Sequence, residues 1–336
     1  MATIFCFGEL LLRLSPEGNG AWIRQNCMPV FVGGAELNVA SALACWGAPV
    51  RYGTALPDNY LSKELCTVLE EKGIDTSTVV FTGNRIGTYY LPQGTDLKGA
   101  GVIYDRAHSS FSNLHTGQID WQQVLQGVDW FHFSAISPAL NENVAEVCKE
   151  ALEAAAAMGI HISVDLNYRA KLWQWGKQPH DVMPELVQHC DMVMGNIWAA
   201  ETMLGIGLPA DMKHEKELLL QQAQRTSEAI LKRFPKCRQV ANTFRFDEGA
   251  GVRYYAMLYS NNQMVVSPEH VTETIVDKAG SGDAFMAGLI YGVLKKWSPQ
   301  DTVNFAAAAG FHKFFIKGDA TTATVEMIQK TVRNNG

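Results

Sequence analysis

The feature that most constrains this chain is a long alternation of short β-rich runs with helix-patterned runs. "TIFCFG" reads as a strand, "ELNVASALACWG" as a helix stopped by Gly47, "RYGTA" as a strand, and "YLSKELCTVLEEKG" as a helix ending at Gly73. The same rhythm continues with strand "WFHFSAI", helix "ENVAEVCKEALEAAAAMG", strand "HISVDLN", helix "DVMPELVQHC" and strand "DMVMGN". A long helix within Lys213–Phe234 leads to strand "RQVANTF" and a hairpin, "VRYYAMLYSNNQMVVS". A strand-like "TETIV" and a helical "FMAGLIYGVLKKW" follow. Strands separated by helices cannot pair as hairpins. They pair in parallel, with helices covering both faces of the sheet. The expected class is α/β in three layers.

Two stretches break the rhythm. Leu12–Val30 and Arg85–Ser112 hold strand-like pieces with Gly, Pro and Asn but no helix; "GTYYLPQG" and "GAGVIYDR" read as two arms of a β meander. The expected organisation is a core of residues 1–11, 31–84 and 113–336, with 12–30 and 85–112 pairing as a small β lid over a site.

The 336 residues carry a formal net charge of -6, which argues against nucleic acid or an anionic membrane as the main partner. No run approaches 18 apolar residues, so no membrane span is expected. "MATIFCFGELLLRL" lacks a basic leader and is broken by Glu9, so it reads as a buried strand rather than a signal peptide. The seven cysteines form no C-x-x-C pair, which suits reduced thiols in a cytoplasm. The nine histidines show no metal-ligand spacing.

In open α/β sheets, ligands bind beyond the carboxyl ends of the strands. Polar residues collect there: Asp165, Asn167 and Arg169 after "HISV", Asn196 after "DMVMG", Thr243 and Arg245 around the end of "RQVAN". The last such point is "DKAGSGDAFMAG", where Gly280, Ser281, Gly282 and Asp283 crowd a helix entrance. A helix start leaves N–H groups unpaired and partly positive, and glycines let an anion approach them. A carboxylate beside a pure anion cradle would repel its ligand. The pairing makes sense if Asp283 takes a proton from a hydroxyl while the amides hold the phosphoryl group that the hydroxyl attacks. The plain alternative is that Asp283 belongs only to the helix cap and the glycines only to the turn. There is no G-x-x-x-x-G-K-[ST] motif and no G-x-G-x-x-G after the first strand, which argues against a P-loop enzyme and a dinucleotide site.

Two motifs together resemble one family. "GGAELNVASALACWG", with Gly33, Gly34 and Asn38, and "DKAGSGDAFMAGLIYG", from Asp277 to Gly292, are similar to the two signatures of the ribokinase-like PfkB carbohydrate kinases. Within that group the opening "GELLLRLSPEG", the segment "VDLNYRAKLW" and the strands "GTYYL" and "VIYDRAHSS" resemble the 2-keto-3-deoxygluconate kinases. The resemblance spans essentially the whole chain. It implies a ribokinase-like fold with a mostly parallel central sheet and a β lid. The implied reaction transfers phosphate from ATP, with Mg²⁺, to the terminal hydroxyl of a sugar acid.

The resemblance also implies roles for residues. Asp283 is the base, and the amides of Ala279, Gly280, Ser281 and Gly282 hold the phosphoryl group. Gly33, Gly34, Asn38, Tyr89, Tyr104, Arg106, Asn167 and Arg169 meet the sugar acid, the two arginines taking its carboxylate. Asn196, Thr243, Arg245, Gly280 and Gly282 lie along the nucleotide, whose adenine is expected between "NTFR" and Phe305–Lys317. Asn196 and Glu201 are expected to hold Mg²⁺ through water. For the arginines alone a surface ion pair, and for the tyrosines alone sheet packing, are the ordinary readings.

The chain differs from the family pattern at Lys278, Ala279, Ser281 and Pro57, and Ala199 stands where N-x-x-E has Glu. The other readings weighed are a kinase for a neutral sugar or a nucleoside, a non-catalytic sugar-acid-binding protein on the same scaffold, and, least supported, a dehydrogenase. A homodimer formed through the lid is a further expectation.

Overall fold

A computed structural model describes residues 2–16, 28–92, 101–210, 212 and 215–334. In chain order it begins with β1 (Ile4–Phe7), β2 (Leu11–Leu14), β3 (Val30–Gly33), α1 (Ala35–Cys45), β4 (Val50–Gly53), β5 (Ala55–Leu56) and α2 (Tyr60–Glu71). Then come β6 (Ile74–Asp75), β7 (Val80–Phe81), β8 (Gly87–Tyr90), β9 (Ile103–Asp105), α3 (Trp121–Val124), β10 (Trp130–Ser134), α4 (Glu142–Ala157) and β11 (His161–Asp165). The next are α5 (Pro179–Val187), β12 (Met192–Gly195), α6 (Ile197–Leu204), α7 (Lys216–Arg233) and β13 (Gln239–Glu248). The chain finishes with β14 (Gly251–Ser260), β15 (Gln263–Val266), β16 (His270–Thr272), α8 (Ser281–Leu294), α9 (Pro299–His312) and α10 (Val325–Asn334).

Among the described residues, ten strands form the main sheet, in the order β15-β14-β13-β12-β11-β10-β1-β4-β6, with β16 also paired to β14. The run from β13 to β6 is parallel, and β14, β15 and β16 add an antiparallel edge. The α/β expectation holds. β1 shows why its sequence has no polar alternation: Ile4 and Cys6 enter one apolar cluster, while Phe5 and Phe7 enter the cluster on the opposite face. A strand covered on both faces is apolar throughout. On the second face, Phe7 lies 5.1 Å from Trp121 and 5.3 Å from Phe111 between ring centroids.

Helix starts follow capping chemistry. Asn59, Asn141 and Asn196 each accept a hydrogen bond from the amide three residues on, at 3.0, 3.0 and 2.7 Å. The Asn261–Asn262 turn, with φ of 52° and 58°, joins β14 to β15 as a tight hairpin.

Two expectations are corrected. "TETIV" is not a strand: β16 stops at Thr272, whose hydroxyl accepts from the Thr274 amide at 3.2 Å, a local bond that competes with the ladder. The amides of Val276 and Asp277 then turn to the Phe314 carbonyl, at 2.8 and 3.2 Å. Strand "RQVANTF" does not end at Phe244. β13 runs through it to Glu248 and pairs with β14 as a ten-residue hairpin. The long helix expected within Lys213–Phe234 is α7; Lys213 and His214 lie outside the described residues.

A second sheet of four strands has the order β3-β2-β8-β9. Its inner face carries Leu11, Arg13, Tyr89 and Tyr104, and its outer face Leu12, Leu14, Tyr90 and Ile103, by the register of its pairs. No helix among the described residues is long and apolar enough to cross a membrane.

α8 and α9 approach closely because α8 has glycines where they meet. A Cβ on Gly288 would stand 2.5 Å from the Ala306 Cα, and one on Gly292 2.7 Å from the Thr302 side chain. The Ser281 hydroxyl donates to the Gly310 carbonyl at 2.9 Å, fixing the start of α8 against the end of α9. That start is where the polar residues of the chain converge.

Candidate active site

A cavity of about 690 Å³ lies at the carboxyl edge of the main sheet, beneath the inner face of the second sheet. The strand ends line it: Glu9 beyond β1, Asp165, Asn167 and Arg169 from β11, Gly195 and Asn196 from β12, Thr243 and Arg245 from β13. Gly34 and Asn38 enter from α1, and Tyr89, Tyr104 and Arg106 from the second sheet. Lys278, Gly280, Ser281, Gly282 and Asp283 come from the start of α8. Thr243 and Arg245 reach it as alternate residues of one strand, not as loop residues.

The two glycines of the α8 turn differ in kind. Gly280 has φ of 78°, and a Cβ there would stand 1.8 Å from the Asp319 carbonyl oxygen. No other residue fits that position. Gly282 has ordinary helical φ, and its nearest neighbour would be the Met194 methyl at 3.9 Å. The protein leaves room for a side chain at 282, and the room is the cavity. The amides that open α8, those of Ser281, Gly282 and Asp283, have no acceptor within the helix. The Ala279 amide is different: it donates to Asp277 Oδ1 at 3.1 Å and is not free for a ligand. The expected four-amide cradle therefore loses Ala279.

Asp283 is 8% exposed, and its Oδ2 accepts from Asn38 Nδ2 at 2.7 Å. Burial pushes its carboxyl up to about 8, with Asp165 and Glu36 adding to the rise while the Asn38 bond and Arg169 oppose it. Asn38, expected to meet the sugar acid, lines the cavity with its amide nitrogen on Asp283. Gly34, with φ of 137° and its Cβ position 2.3 Å from the Glu9 carbonyl oxygen, lets α1 begin close enough for this contact.

Other polar groups are held from behind. Arg106 Nε donates to Glu9 Oε2 at 2.6 Å, and the Ser109 hydroxyl donates to the same carboxylate. Glu36, in the cavity wall, accepts from the Ser134 amide at 2.9 Å and from the hydroxyls of Ser134 and Ser137; burial raises its pKa. The Tyr89 hydroxyl donates to Asp319. Lys278 Nζ lies 3.0 Å from Asp247 Oδ1 on β13.

Three expected residues do not line the cavity. Gly33 stands behind it, where a Cβ would be 2.9 Å from the Asp319 side chain. Ala279 is turned away as described. Glu201 accepts from the Leu208 amide at 3.1 Å, while Asn196 caps α6, so the expected pair of metal-associated residues is split. None of Phe305–Lys317 lines the cavity either; Phe305 and Phe314 are packed in the core. Glu9, Glu36 and Asp319 are wall residues that sequence reasoning passed over. Glu36 had a readable signal, an acid set among the apolar residues of α1, whereas Asp319 had none.

The sequence profile of the pfkB family of carbohydrate kinases matches residues 1–313. The chain belongs to that family and is a carbohydrate kinase. A 2-dehydro-3-deoxygalactonokinase of Haloferax volcanii is 26% identical to the kinase over 332 residues, 99% of this chain and 97% of that protein. The crystal structure of a 2-dehydro-3-deoxygluconokinase from Thermotoga maritima matches with a TM-score of 0.90 at 32% identity, covering 99% of this chain and all of that one. A putative ribokinase II from E. coli, solved with ATP and Mg²⁺, shares the fold with a TM-score of 0.77 at 17% identity, over 99% of this chain and 100% of that one.

Two predictions rest on this geometry. An ordinary aspartate titrates near about 3.9. Between that value and about 8 the folded kinase holds a proton on Asp283 that the unfolded chain has released. Stability from this group therefore falls as pH rises through that window. Asp283→Asn removes the penalty. Its melting temperature is expected to exceed that of the parent by a margin that grows from pH 5 to pH 8, while kcat drops about 10²–10⁴-fold. A margin that shrinks with pH, or retained turnover, contradicts the assignment. The second concerns Gly282→Ala. Because the protein has room there, thermal stability is expected to hold or rise, while kcat/KM for ATP falls about 10–100-fold. An active alanine variant would show that no phosphate occupies the space.

Proposed function

We propose that the kinase transfers the γ-phosphate of ATP to the terminal hydroxyl of a 2-keto-3-deoxy sugar acid, converting 2-keto-3-deoxy-D-gluconate to its 6-phosphate. The observation that carries this is the meeting of Asp283 with the free amides of α8 in a cavity whose other wall holds Arg106 and Arg169. The likeness to kinases named for such sugar acids supports it.

In the reaction, the sugar oxygen bonds to the γ-phosphorus, the bond from that phosphorus to the β-phosphate bridge breaks, and ADP leaves. The hydroxyl proton passes to Asp283. A carboxyl with a value of about 8 is a stronger base, once ionised, than an ordinary aspartate. Asn38 orients it through Oδ2. The amides of Gly280, Ser281 and Gly282 face the charge that develops on the phosphoryl oxygens. Thr243 and Arg245 receive the nucleotide. Arg169 and Arg106 take the sugar carboxylate, Arg106 being aimed by Glu9. Tyr89, Tyr104 and Asn167 shape the sugar end, with Gly34 keeping the backbone close.

Mg²⁺ arrives with ATP in this reading. Among the described residues no three His, Cys, Asp or Glu side chains are grouped to hold an ion. With Glu201 turned to Leu208, the donor set does not fit a metal caged by protein, and no step is assigned to one.

We further propose that the second sheet acts as a lid, residues 12–30 and 85–112 closing over the core of 1–11, 31–84 and 113–336; Lys171 Nζ, on the core side, donates to the Val102 carbonyl at 2.8 Å. Residues 17–27 and 93–100 of that lid lie outside the described residues. Cys6, Cys45, Cys66, Cys148, Cys190 and Cys237 are all free thiols, which supports a cytoplasmic location. The lid's outer face, with Val30 53% and Ile103 59% exposed, is proposed to pair with a second copy.

Substrate choice is tested by ADP release with a panel of 2-keto-3-deoxygluconate, its galacto epimer, fructose, ribose and adenosine. Sugar acids are expected to lead in kcat/KM by about 100-fold or more, and Arg169→Ala to raise KM for them alone. A lead for fructose or ribose would overturn the sugar-acid reading. For the dimer, sedimentation of the parent is expected at twice the chain mass, with Ile103→Lys shifting it to the monomer; a parent that sediments as a monomer at micromolar concentration ends that proposal.

A further inference from the structure

Behind the α8 turn lie four charged side chains that the phosphoryl-transfer step does not use. Arg13 of β2, Asp277 before the turn, Lys313 after α9 and Asp319 beyond it are 0%, 1%, 0% and 4% exposed. Arg13 forms an ion pair with Asp277 through Nη2 and lies 3.4 Å from Asp319 Oδ2 through Nη1. Asp277 also accepts from the amides of Ala279 and Gly318, both at 3.1 Å. Lys313 Nζ donates to the Ile316 carbonyl at 2.8 Å. Its Cε lies 3.3 Å from the point where a Cβ on Gly280 would stand, and the Asp319 carbonyl lies 1.8 Å from that same point. The lysine and the Asp319 backbone thus press on Gly280 from behind, while its front faces the cavity.

With both aspartates ionised, the charges sum to zero only if Lys313 is an ammonium; burial raises the Asp319 pKa, and Arg13, the Tyr89 hydroxyl and Lys313 oppose that rise while Asp277 adds to it. Burial lowers the Lys313 pKa to about 8, while Asp277, Asp319 and, across the turn, Asp283 oppose that fall and Arg13 assists it. Without its charge the set would carry one net negative charge, buried against the amides that receive a phosphate. Low-dielectric surroundings transmit such a charge strongly.

We propose that Lys313 is a positioning residue for phosphoryl transfer: its buried ammonium, set behind Gly280, balances Asp277 and Asp319 so that the turn meets the incoming phosphate with no net negative charge at its back. The inference rests on the reading of the α8 turn as the phosphate cradle. It assigns to Lys313 no contact with substrate and no proton transfer.

The test compares the full-length parent with Lys313→Met and with the double variant Lys313→Met/Asp319→Asn, in which the set is again neutral. Circular dichroism follows folding, ADP release gives kcat, and a titration gives sugar affinity. Lys313→Met is expected to fold, to bind sugar as the parent does, and to lose about 100-fold in kcat. The double variant is expected to regain at least about tenfold of that loss, a non-additivity that a packing role does not produce. A folded Lys313→Met with parental kcat overturns the proposal, and so does a folded double variant no faster than the single one. If Lys313→Met does not fold, the double variant decides: folded and active supports the proposal, and inactive or unfolded ends it, because a neutral set is expected to stand. A parent that releases no ADP with any sugar would instead overturn the cradle reading itself.

Discussion

The close approach of the Asp319 backbone to Gly280 is the constraint on which the rest of the site depends. Only a glycine, with φ of 78°, lets the segment after α9 lie against the back of the turn. That contact turns the free amides of α8 toward the opposite side, which is the cavity. It also places Asp283, in the first turn of the same helix, beside them. The proposed base and cradle therefore share one rigid element, and their relative placement is set by helix geometry rather than by loop packing. The glycines at 288 and 292 extend the same logic along α8, holding it against α9 so that the turn cannot drift.

The cavity wall contains several carboxylates, and the protein handles each differently. Burial is the main cause that raises the pKa of Asp283, to which, among the described residues, Asn38 is the side chain bonded. Glu36 is buried just as deeply but bonded to two serines of the β10 end, which commits it to holding α1 against the sheet. Glu9 is spent on Arg106. Of the three, only Asp283 has a proton-transfer role open to it, because the other two already have partners that satisfy them. The distinction follows from hydrogen-bond supply, since depth of burial is similar for all.

Much of this was legible in the sequence. Strand and helix periods are local, so the parallel sheet, the helix limits and the β14–β15 hairpin could be read from spacing alone. The glycine and carboxylate pattern at 280–283 also marked a helix start that lines the cavity. What could not be read were contacts between distant segments. Asn38 and Asp283 are 245 residues apart, and nothing near Asn38 reveals that its amide faces a carboxylate. The Ala279 amide looked as free as its neighbours, and its loss to Asp277 depends on a side chain held in place by Arg13. "TETIV" has the composition of a strand, yet past Thr272 its amides turn to the Thr272 hydroxyl and to the distant Phe314 carbonyl. The extension of β13 to Glu248 hid in a stretch whose Gly and Asp content suggested a turn. In each case tertiary context decided what local preference left open.

The same buried charges bear on how the proposed lid can move. Arg13 on β2 reaches Asp277, and Tyr89 on β8 reaches Asp319, so the two central strands of the second sheet are bonded to the floor of the turn. Swinging those strands away would leave Asp277 buried without its cation, a loss of about 3–5 kcal/mol for such a pair. Opening of the whole sheet as one flap is therefore disfavoured. The edge strand β9 is held too: Val102 before it accepts from Lys171, and Arg106 after it pairs with the buried Glu9. A cover bonded to the core through β2, β8 and β9 keeps the charge balance behind the α8 turn intact.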